Sequence, residues 1–160
     1  MEAGAVTQGG REGKYLTFKL DSEGYGIPIL TVKEIIGLMP FTPIPRAPDF
    51  IKGVINLRGK VIPTIDLRMK FGVPAKAYDD RTCIVVVEVR NDQEHFMMGL
   101  IVDNVDEVTN VREEDTEDAP NFGVDLDTRF IKAIAKTQAG VKILLDIGKV
   151  LSEDEFQSLN

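Results

Sequence analysis

The stretch Phe50–Arg68 (FIKGVINLRGKVIPTIDLR) decides how the fold of this chain is interpreted. β-Branched and other apolar residues lie on both sides of Arg58-Gly59, and such residues favour strands. Gly59 permits a tight turn between the two strands. We therefore predict a hairpin that presents Arg58 at its turn and leads into a short helix at Leu67–Phe71. A guanidinium there can bind a carboxylate of its own chain or of a partner, and the alternative is a structural turn with a solvated arginine.

Further strands are predicted on both sides of this hairpin from the alternation of apolar and polar residues. The most regular is Thr82–Val89, whose odd-numbered residues share one face and whose even-numbered residues share the other. The pattern indicates about ten short strands in two successive groups, divided near residues 78–80, with no detectable repeat. Two such groups predict two small β-barrels side by side. Because proline cannot donate to a ladder, Pro28 is predicted to place its strand at an edge or a bulge, and the strand that contains Pro63 is predicted to be an edge strand.

The two ends of the chain differ from this pattern. Residues 1–13 are polar and rich in glycine, so we expect a flexible N-terminal tail. Residues 14–151 hold the two barrel subdomains. Ser152 and Glu155 form a capping box, which predicts a C-terminal helix over residues 152–160.

The charge of the chain is polarised. It has 19 Lys and Arg against 26 Asp and Glu, for a formal net charge of −7. Residues 103–127 contain ten acidic residues and a single basic one, Arg112, so this stretch alone carries −9. Residues 43–74 lean the other way, with six basic and two acidic side chains. The arrangement indicates oriented contacts with protein partners and makes nucleic acid a poor candidate ligand.

Composition and motifs exclude several functional classes. With 43% hydrophobic residues the chain is typical of a globular protein, and no apolar run approaches the roughly 20 residues of a membrane span. The one histidine, His95, is expected at a solvated or edge position, and the one cysteine, Cys83, in the core. One His and one Cys give no zinc-ligand spacing, and the acidic run Glu113–Asp118 lacks the glycine of a calcium loop. We predict no enzyme activity, no cofactor and no metal site.

Several motifs resemble the CheW family, the bacterial chemotaxis coupling proteins. The most specific is the pattern G-V-x-N-L-R-G-x-x-x-P-x-x-D-L-R at residues 53–68. The other segments that carry the resemblance are Tyr25–Ile29, the V-x-E-I segment Val32–Ile35, Pro48–Lys52, Gly99–Val105, Ala119–Phe122 and Leu144–Ile147. They occur in order from about Lys14 to Leu151.

The resemblance implies a mainly β fold of two interlocked five-stranded SH3-like barrels with a short C-terminal helix. It implies a non-enzymatic adaptor that joins the cytoplasmic tips of methyl-accepting chemotaxis receptors to the histidine kinase CheA, whose regulatory domain is itself CheW-like. Such a protein is cytoplasmic and is recruited to membrane-associated receptor arrays. The chain has no room for a receiver domain of the CheV type. The alternative is a CheW-like scaffold in a non-chemotaxis receptor and kinase pathway.

Seven residues are candidates for partner contact on this basis. They are Val32, Glu34, Ile35, Gly53, Asn56, Arg58 and Phe122. Val32 and Ile35 are expected to bury apolar surface against a partner, and Glu34 is expected to pair with Arg58. Phe122 resembles an aromatic residue that the family places in its second barrel, and the alternative for it is ordinary core filling.

Overall fold

The computed structural model describes residues 10–90, 95–119 and 129–151. This part of the chain contains eleven strands, and none of its helices is long and apolar enough to cross a membrane. In chain order the elements are β1 (Gly13–Leu20), β2 (Glu23–Pro28), a 3₁₀ turn (Ile29–Thr31), β3 (Val32–Gly37), β4 (Ile51–Leu57), β5 (Lys60–Asp66), α1 (Leu67–Lys70), β6 (Cys83–Arg90), β7 (His95–Val102), β8 (Asn104–Val111), a 3₁₀ turn (Glu113–Asp115), β9 (Thr116–Glu117), β10 (Ile131–Thr137), β11 (Gly140–Leu145) and a 3₁₀ turn (Ile147–Lys149).

The strands form two sheets, which are the two SH3-like barrels. The first barrel is the five-stranded sheet β3-β6-β7-β5-β4, and the second barrel is the six-stranded sheet β8-β1-β2-β11-β10-β9. Neighbouring strands are antiparallel except for one parallel pair in each barrel, β5 with β7 and β2 with β11. The predicted fold class is confirmed. The sixth strand of the second barrel, β9, arises because part of the acidic run Glu113–Asp118 pairs with β10.

The two barrels do not follow one another along the chain. The first barrel takes its strands from residues 32–102, whereas the second takes β1 and β2 from the N-terminal side and β8 to β11 from the C-terminal side. The predicted division near residues 78–80 is therefore wrong, because that point falls inside the first barrel, between α1 and β6. Local alternation identifies a strand and its buried face, but it does not specify which distant strand will be its neighbour.

The hairpin β10–β11 repeats the hairpin β4–β5. A register shift follows Ile51 in one hairpin and Ile131 in the other. The backbone N–H groups of Asp66 and Asp146 each donate to the carbonyl oxygen just before the first strand, at 2.7 and 2.8 Å. Ile51 and Ile131 are 80 residues apart, and so are Asp66 and Asp146. The prediction that no repeat is detectable is wrong, because the sequence Phe-Ile-Lys also stands at the start of both hairpins.

Three apolar clusters hold the barrels together. The largest lies between the barrels and contains residues of both, including Phe18 of β1 and Leu100 of β7. Within β6, Val85 faces this cluster while Ile84 and Val86 face the interior of the first barrel. The two-faced strand that the sequence predicts is confirmed. Because the largest cluster is shared, the two barrels bury their apolar surface together.

A buried ion pair also joins the barrels. The Arg68 side chain of α1 is only 7% exposed, and its Nη1 donates to Asp103 Oδ2 at 2.7 Å. Asp103 also accepts the backbone N–H of Asp21, in the β1–β2 turn, at 2.7 Å. Arg68 donates through Nε and Nη2 to the carbonyl oxygen of Pro74 at 3.0 and 2.8 Å. The guanidinium is thereby compensated and hydrogen-bonded, as a buried charge requires.

Pro28 and Pro63 do not lie on edge strands, because β2 and β5 are both interior. The prediction failed for a local reason. β2 pairs with β11 only over residues 24–26, and β5 pairs with β7 only over residues 64–66. Each proline therefore lies outside the part of its strand that has two neighbours, and its missing N–H leaves no ladder bond unmade.

The predicted terminal segments are only partly described. β1 begins at Gly13, the last residue of the predicted tail, and the Arg11 side chain pairs with Asp118. Residues 1–9 and the predicted helix 152–160 lie outside the described residues, so both remain predictions.

Candidate partner-binding site

Three of the predicted site residues lie on β3, an edge strand of the first barrel. Ile35 is 45% exposed, whereas Val32 is half-buried against the cluster between the barrels. Glu34 lies between them with its side chain 29% exposed. Ile35 is therefore the residue of β3 with the most apolar surface available to a partner, and Val32 contributes its outer part.

The β4–β5 turn presents Arg58. Arg58 and Gly59 have φ angles of 52° and 87°, as expected for a two-residue hairpin turn that needs positive φ at both positions. Asn56 stabilises the turn, because its Oδ1 accepts the backbone N–H of Gly59 at 2.9 Å. The guanidinium of Arg58 extends from the turn with 71% of the side chain exposed.

Arg58 and Glu34 form the ion pair that the sequence predicts, between Nη2 and Oε1. Glu34 lies on one edge strand of the first sheet, and Arg58 follows β4, the other edge strand. The pair therefore spans the gap between the two edges of the barrel. An ion pair this exposed stabilises a fold by about 0–1 kcal/mol, so its main consequence is the position of the two charges.

Gly53 lies under the site and is buried. Its φ is +142°, and a Cβ there would lie 2.3 Å from the carbonyl oxygen of Thr42. Thr42 exchanges two backbone hydrogen bonds with Val54, both at 2.9 Å. Gly53 thus allows the connection before β4 to pack against it, and the predicted direct contact with a partner does not fit its burial. Phe122 lies outside the described residues, so its role remains a prediction.

Two exposed apolar residues near the site were not selected from the sequence. Val61 is 68% exposed and pairs across the hairpin with Asn56, beside the Arg58 turn. Leu38 is 37% exposed and directly follows β3. The sequence did contain a signal for Val61. A strand residue directly beside a hairpin turn lies at the end of the barrel, where its side chain has no barrel interior to face. Together with Ile35, these residues give the site an apolar component.

A second charged group near β3 was also missed. Glu88 binds three side chains: Lys33 at 3.3 Å, Arg90 at 3.0 Å and His95 at 2.9 Å. The hydrogen bond from His95, followed by those from Lys33 and Arg90, lowers the pKa of Glu88 to about 2. His95 itself is 59% exposed, as predicted. The cluster depends on the pairing of β3 with β6 and of β6 with β7, which the sequence alone does not specify.

Glu88 also lines a groove of about 430 Å³ between the barrels. The far wall includes Leu145 and Ile147, and Leu30, 64% exposed, lies at its edge. Lys132 lines the same groove, and burial lowers its pKa. Among the described residues, no group of three or more His, Cys, Asp and Glu is placed to hold a metal ion.

The described residues form two SH3-like barrels, with a charged and partly apolar face on the first. Residues 14–155 match the model of the CheW-like domain. The chain is 40% identical to the chemotaxis protein CheW of Klebsiella aerogenes, over 89% of this chain and 84% of the relative. It is 34% identical to CheW of Bacillus subtilis, over 91% and 90%.

A solved structure agrees with these relatives. The crystal structure of the scaffolding protein TtCheW from Thermoanaerobacter tengcongensis matches with a TM-score of 0.79 and 35% identity, covering 91% of this chain and 96% of that one. The chain belongs to the CheW family of chemotaxis scaffold proteins.

Proposed function

We propose that this protein is a non-enzymatic adaptor that couples methyl-accepting chemotaxis receptors to the histidine kinase CheA. Membership of a family of chemotaxis scaffold proteins supports this proposal. On this proposal the protein acts in the cytoplasm, at receptor arrays, through surfaces presented by a rigid body.

The observation that carries the proposal is the face around the Glu34–Arg58 pair. The pair has little to contribute to the fold, because Arg58 is 71% exposed. It does fix the orientation of a forked cationic group beside Ile35. Ile35 is 45% exposed and therefore offers apolar surface to a partner. Fixed charges beside apolar surface are typical of protein interfaces, where charges set orientation and apolar residues supply affinity.

The role of the pair is tested by a charge exchange. We expect Arg58→Glu to weaken binding to purified CheA or to receptor cytoplasmic fragments by about tenfold, because two carboxylates would then face each other. The double variant Arg58→Glu, Glu34→Arg restores the pair and should recover most of the affinity, as measured by titration calorimetry. Lys60→Glu, which makes the same charge change beside the turn, is the matched control. If the double variant binds as weakly as Arg58→Glu, the pair does not shape the docking face.

A further inference from the structure

The second barrel repeats the geometry of β3 in β8. Both are edge strands at the same place in their sheets. Val32 and Ile35 are three positions apart on β3, but their partners on β6 are only two positions apart. The same is true of Val105 and Val108 on β8 and their partners on β1. Each edge strand therefore contains one extra residue at the same position. The sequence Val-Lys-Glu-Ile at 32–35 therefore corresponds to Val-Asp-Glu-Val at 105–108.

In this correspondence Glu107 is the equivalent of Glu34. The hairpin repeat places Gln138, 80 residues after Arg58, at the equivalent of the turn arginine. A neutral amide thus stands where the first barrel has a guanidinium. Among the described residues Glu107 makes no ion pair, and its carboxylate accepts only a long contact of 3.5 Å from the Thr109 hydroxyl.

The gap between β8 and the β10–β11 turn, which we call the second seam, is open. It forms a cavity of about 730 Å³ lined by Glu107, Val108 and Gln138. Val108 is 50% exposed, close to the 45% of its equivalent Ile35. The cations at the cavity are already engaged: Lys136 binds Glu117 at 2.7 Å, and Arg112 binds Asp115 at 3.1 Å. Among the described residues, Glu107 therefore lies at the second seam without an ion-pair partner.

Lys142 supplies a separate observation. It lines an adjoining cavity of about 570 Å³ that Glu107 also lines, and it is 6% exposed. Within the described part of the chain it makes no hydrogen bond or ion pair. Gly24 leaves room for it, because a Cβ there would lie 2.6 Å from Lys142 Cδ and 2.7 Å from Nζ. The residue of the first barrel that is equivalent to Lys142 is Ile62. No buried side-chain nitrogen or oxygen among the described residues lacks a hydrogen-bond partner, so the alkyl chain of Lys142 is buried while its ammonium group reaches the cavity and can donate to an acceptor there.

We infer that the second seam docks a protein segment that presents an arginine. The guanidinium pairs with Glu107, as Arg58 pairs with Glu34 in the first barrel, and a carbonyl oxygen of the same segment accepts from Lys142. Charge complementarity favours a cationic occupant, because β8 lies within the stretch 103–127 that carries −9. Arginine suits the site better than lysine because its fork can bind both oxygens of one carboxylate. The inference concerns a second surface and does not depend on the proposed coupling function.

The probe is a cyclic peptide, Asn-Leu-Arg-Gly-Lys, which reproduces the turn that fills the equivalent site in the first barrel. Titrated into the ¹⁵N-labelled full chain, it should shift the backbone amide signals of residues 105–109 and 138–142. The peptide with citrulline in place of arginine keeps the shape, removes the charge and should not shift them. Glu107→Gln removes the carboxylate and should weaken binding about fivefold or more. Gln138→Arg supplies the arginine from within the chain and should weaken binding of the peptide by a similar factor.

The matched control is Glu114→Gln, which removes a carboxylate of the same acidic stretch that does not line the second seam. It should change the affinity less than about twofold. The inference is overturned if the arginine peptide leaves these amides unshifted or if the citrulline peptide binds equally well. It is also overturned if Glu114→Gln weakens binding as much as Glu107→Gln, which would indicate diffuse attraction only. Concentration-dependent shifts of the same amides without peptide would assign the second seam to another copy of this chain instead.

Discussion

The two barrels share one backbone plan and differ where they meet solvent. Asp66 and Asp146 both lie at the end of a hairpin, and each accepts a backbone N–H of the next element, from Met69 of α1 at 3.3 Å and from Gly148 of the last 3₁₀ turn at 3.1 Å. The side chains around the turns differ: an ion pair closes the gap between edges in the first barrel, and the second seam is open. Backbone-directed contacts are thus retained in both barrels, while the side chains around the two turns have diverged.

The largest expected difference in stability between equivalent positions of the two barrels concerns Arg68. Its equivalent, 80 residues later, is Gly148, which has no side chain. Arg68→Met removes the cation and leaves Asp103, 12% exposed, without its partner. We expect the free energy of unfolding to fall by about 4 kcal/mol. Urea denaturation checks this, with Arg81→Met as a control at an exposed arginine. A fall of less than about 1 kcal/mol would show that the shared apolar cluster alone fixes the barrels.

The next comparison is between Gly53 and its equivalent Ala133. Gly53→Ala forces a side chain into a φ of +142° and against the Thr42 carbonyl, so we expect a loss of about 3 kcal/mol. Ala133→Gly removes only one buried methyl group and adds backbone freedom, at a cost of about 1 kcal/mol. Both values come from the same denaturation series. Equal losses would mean that the two hairpins are not packed differently at this position.

Lys142 allows a smaller test of the same divergence. Lys142→Met keeps an unbranched chain of similar length and replaces the ammonium group, which reaches solvent, by an apolar end. We expect the free energy of unfolding to change by less than about 1 kcal/mol, because the buried part of Lys142 is its alkyl chain and Met retains it. Thermal denaturation measures the change. A loss of more than about 2 kcal/mol would show that the ammonium group makes a contact on which the fold depends.

The smallest effect is expected at Glu88, whose equivalent on β1 is Lys19. The hydrogen bond from His95 is the main cause that lowers the pKa of Glu88 to about 2. A lowered pKa in the folded state gives stability that is present above the usual value of 4.5 and is lost as the pH falls toward 2. The difference in unfolding free energy between the wild type and Glu88→Gln should therefore shrink over that range. Lys19→Gln should show no such change, and a constant difference for Glu88→Gln would contradict the assignment.

The sequence was most informative where the signals were local. The Arg58-Gly59 turn, the hairpin around it and the two faces of β6 all follow from residue types within a few positions, and the structure confirms them. The Glu34–Arg58 pair was also predicted. Pairing between distant segments was not, because nothing local to β1 indicates that β8 will be its second neighbour. The two occurrences of Phe-Ile-Lys, and of Val-x-Glu followed by Ile or Val, were the available signals for the repeat.

Charge illustrates the same limit. The acidic stretch 103–127 was visible from the sequence, but which of its carboxylates lack a partner was not. The Arg112–Asp115 pair is local, since the two residues are three positions apart. The Glu117–Lys136 pair depends on the pairing of β9 with β10, and Glu107 pairs with no cation among the described residues. Strand pairing between distant segments is therefore needed to identify which acids have partners.

The most direct test of the proposed function is reconstitution of kinase autophosphorylation. Purified CheA and receptor cytoplasmic fragments in vesicle-bound or clustered form would be assayed with and without this protein. We expect the added protein to raise the rate of autophosphorylation above that of receptors and kinase alone. We expect Arg58→Glu to reduce this increase and the double variant Arg58→Glu, Glu34→Arg to restore it. No increase on adding the wild-type protein would contradict the coupling function.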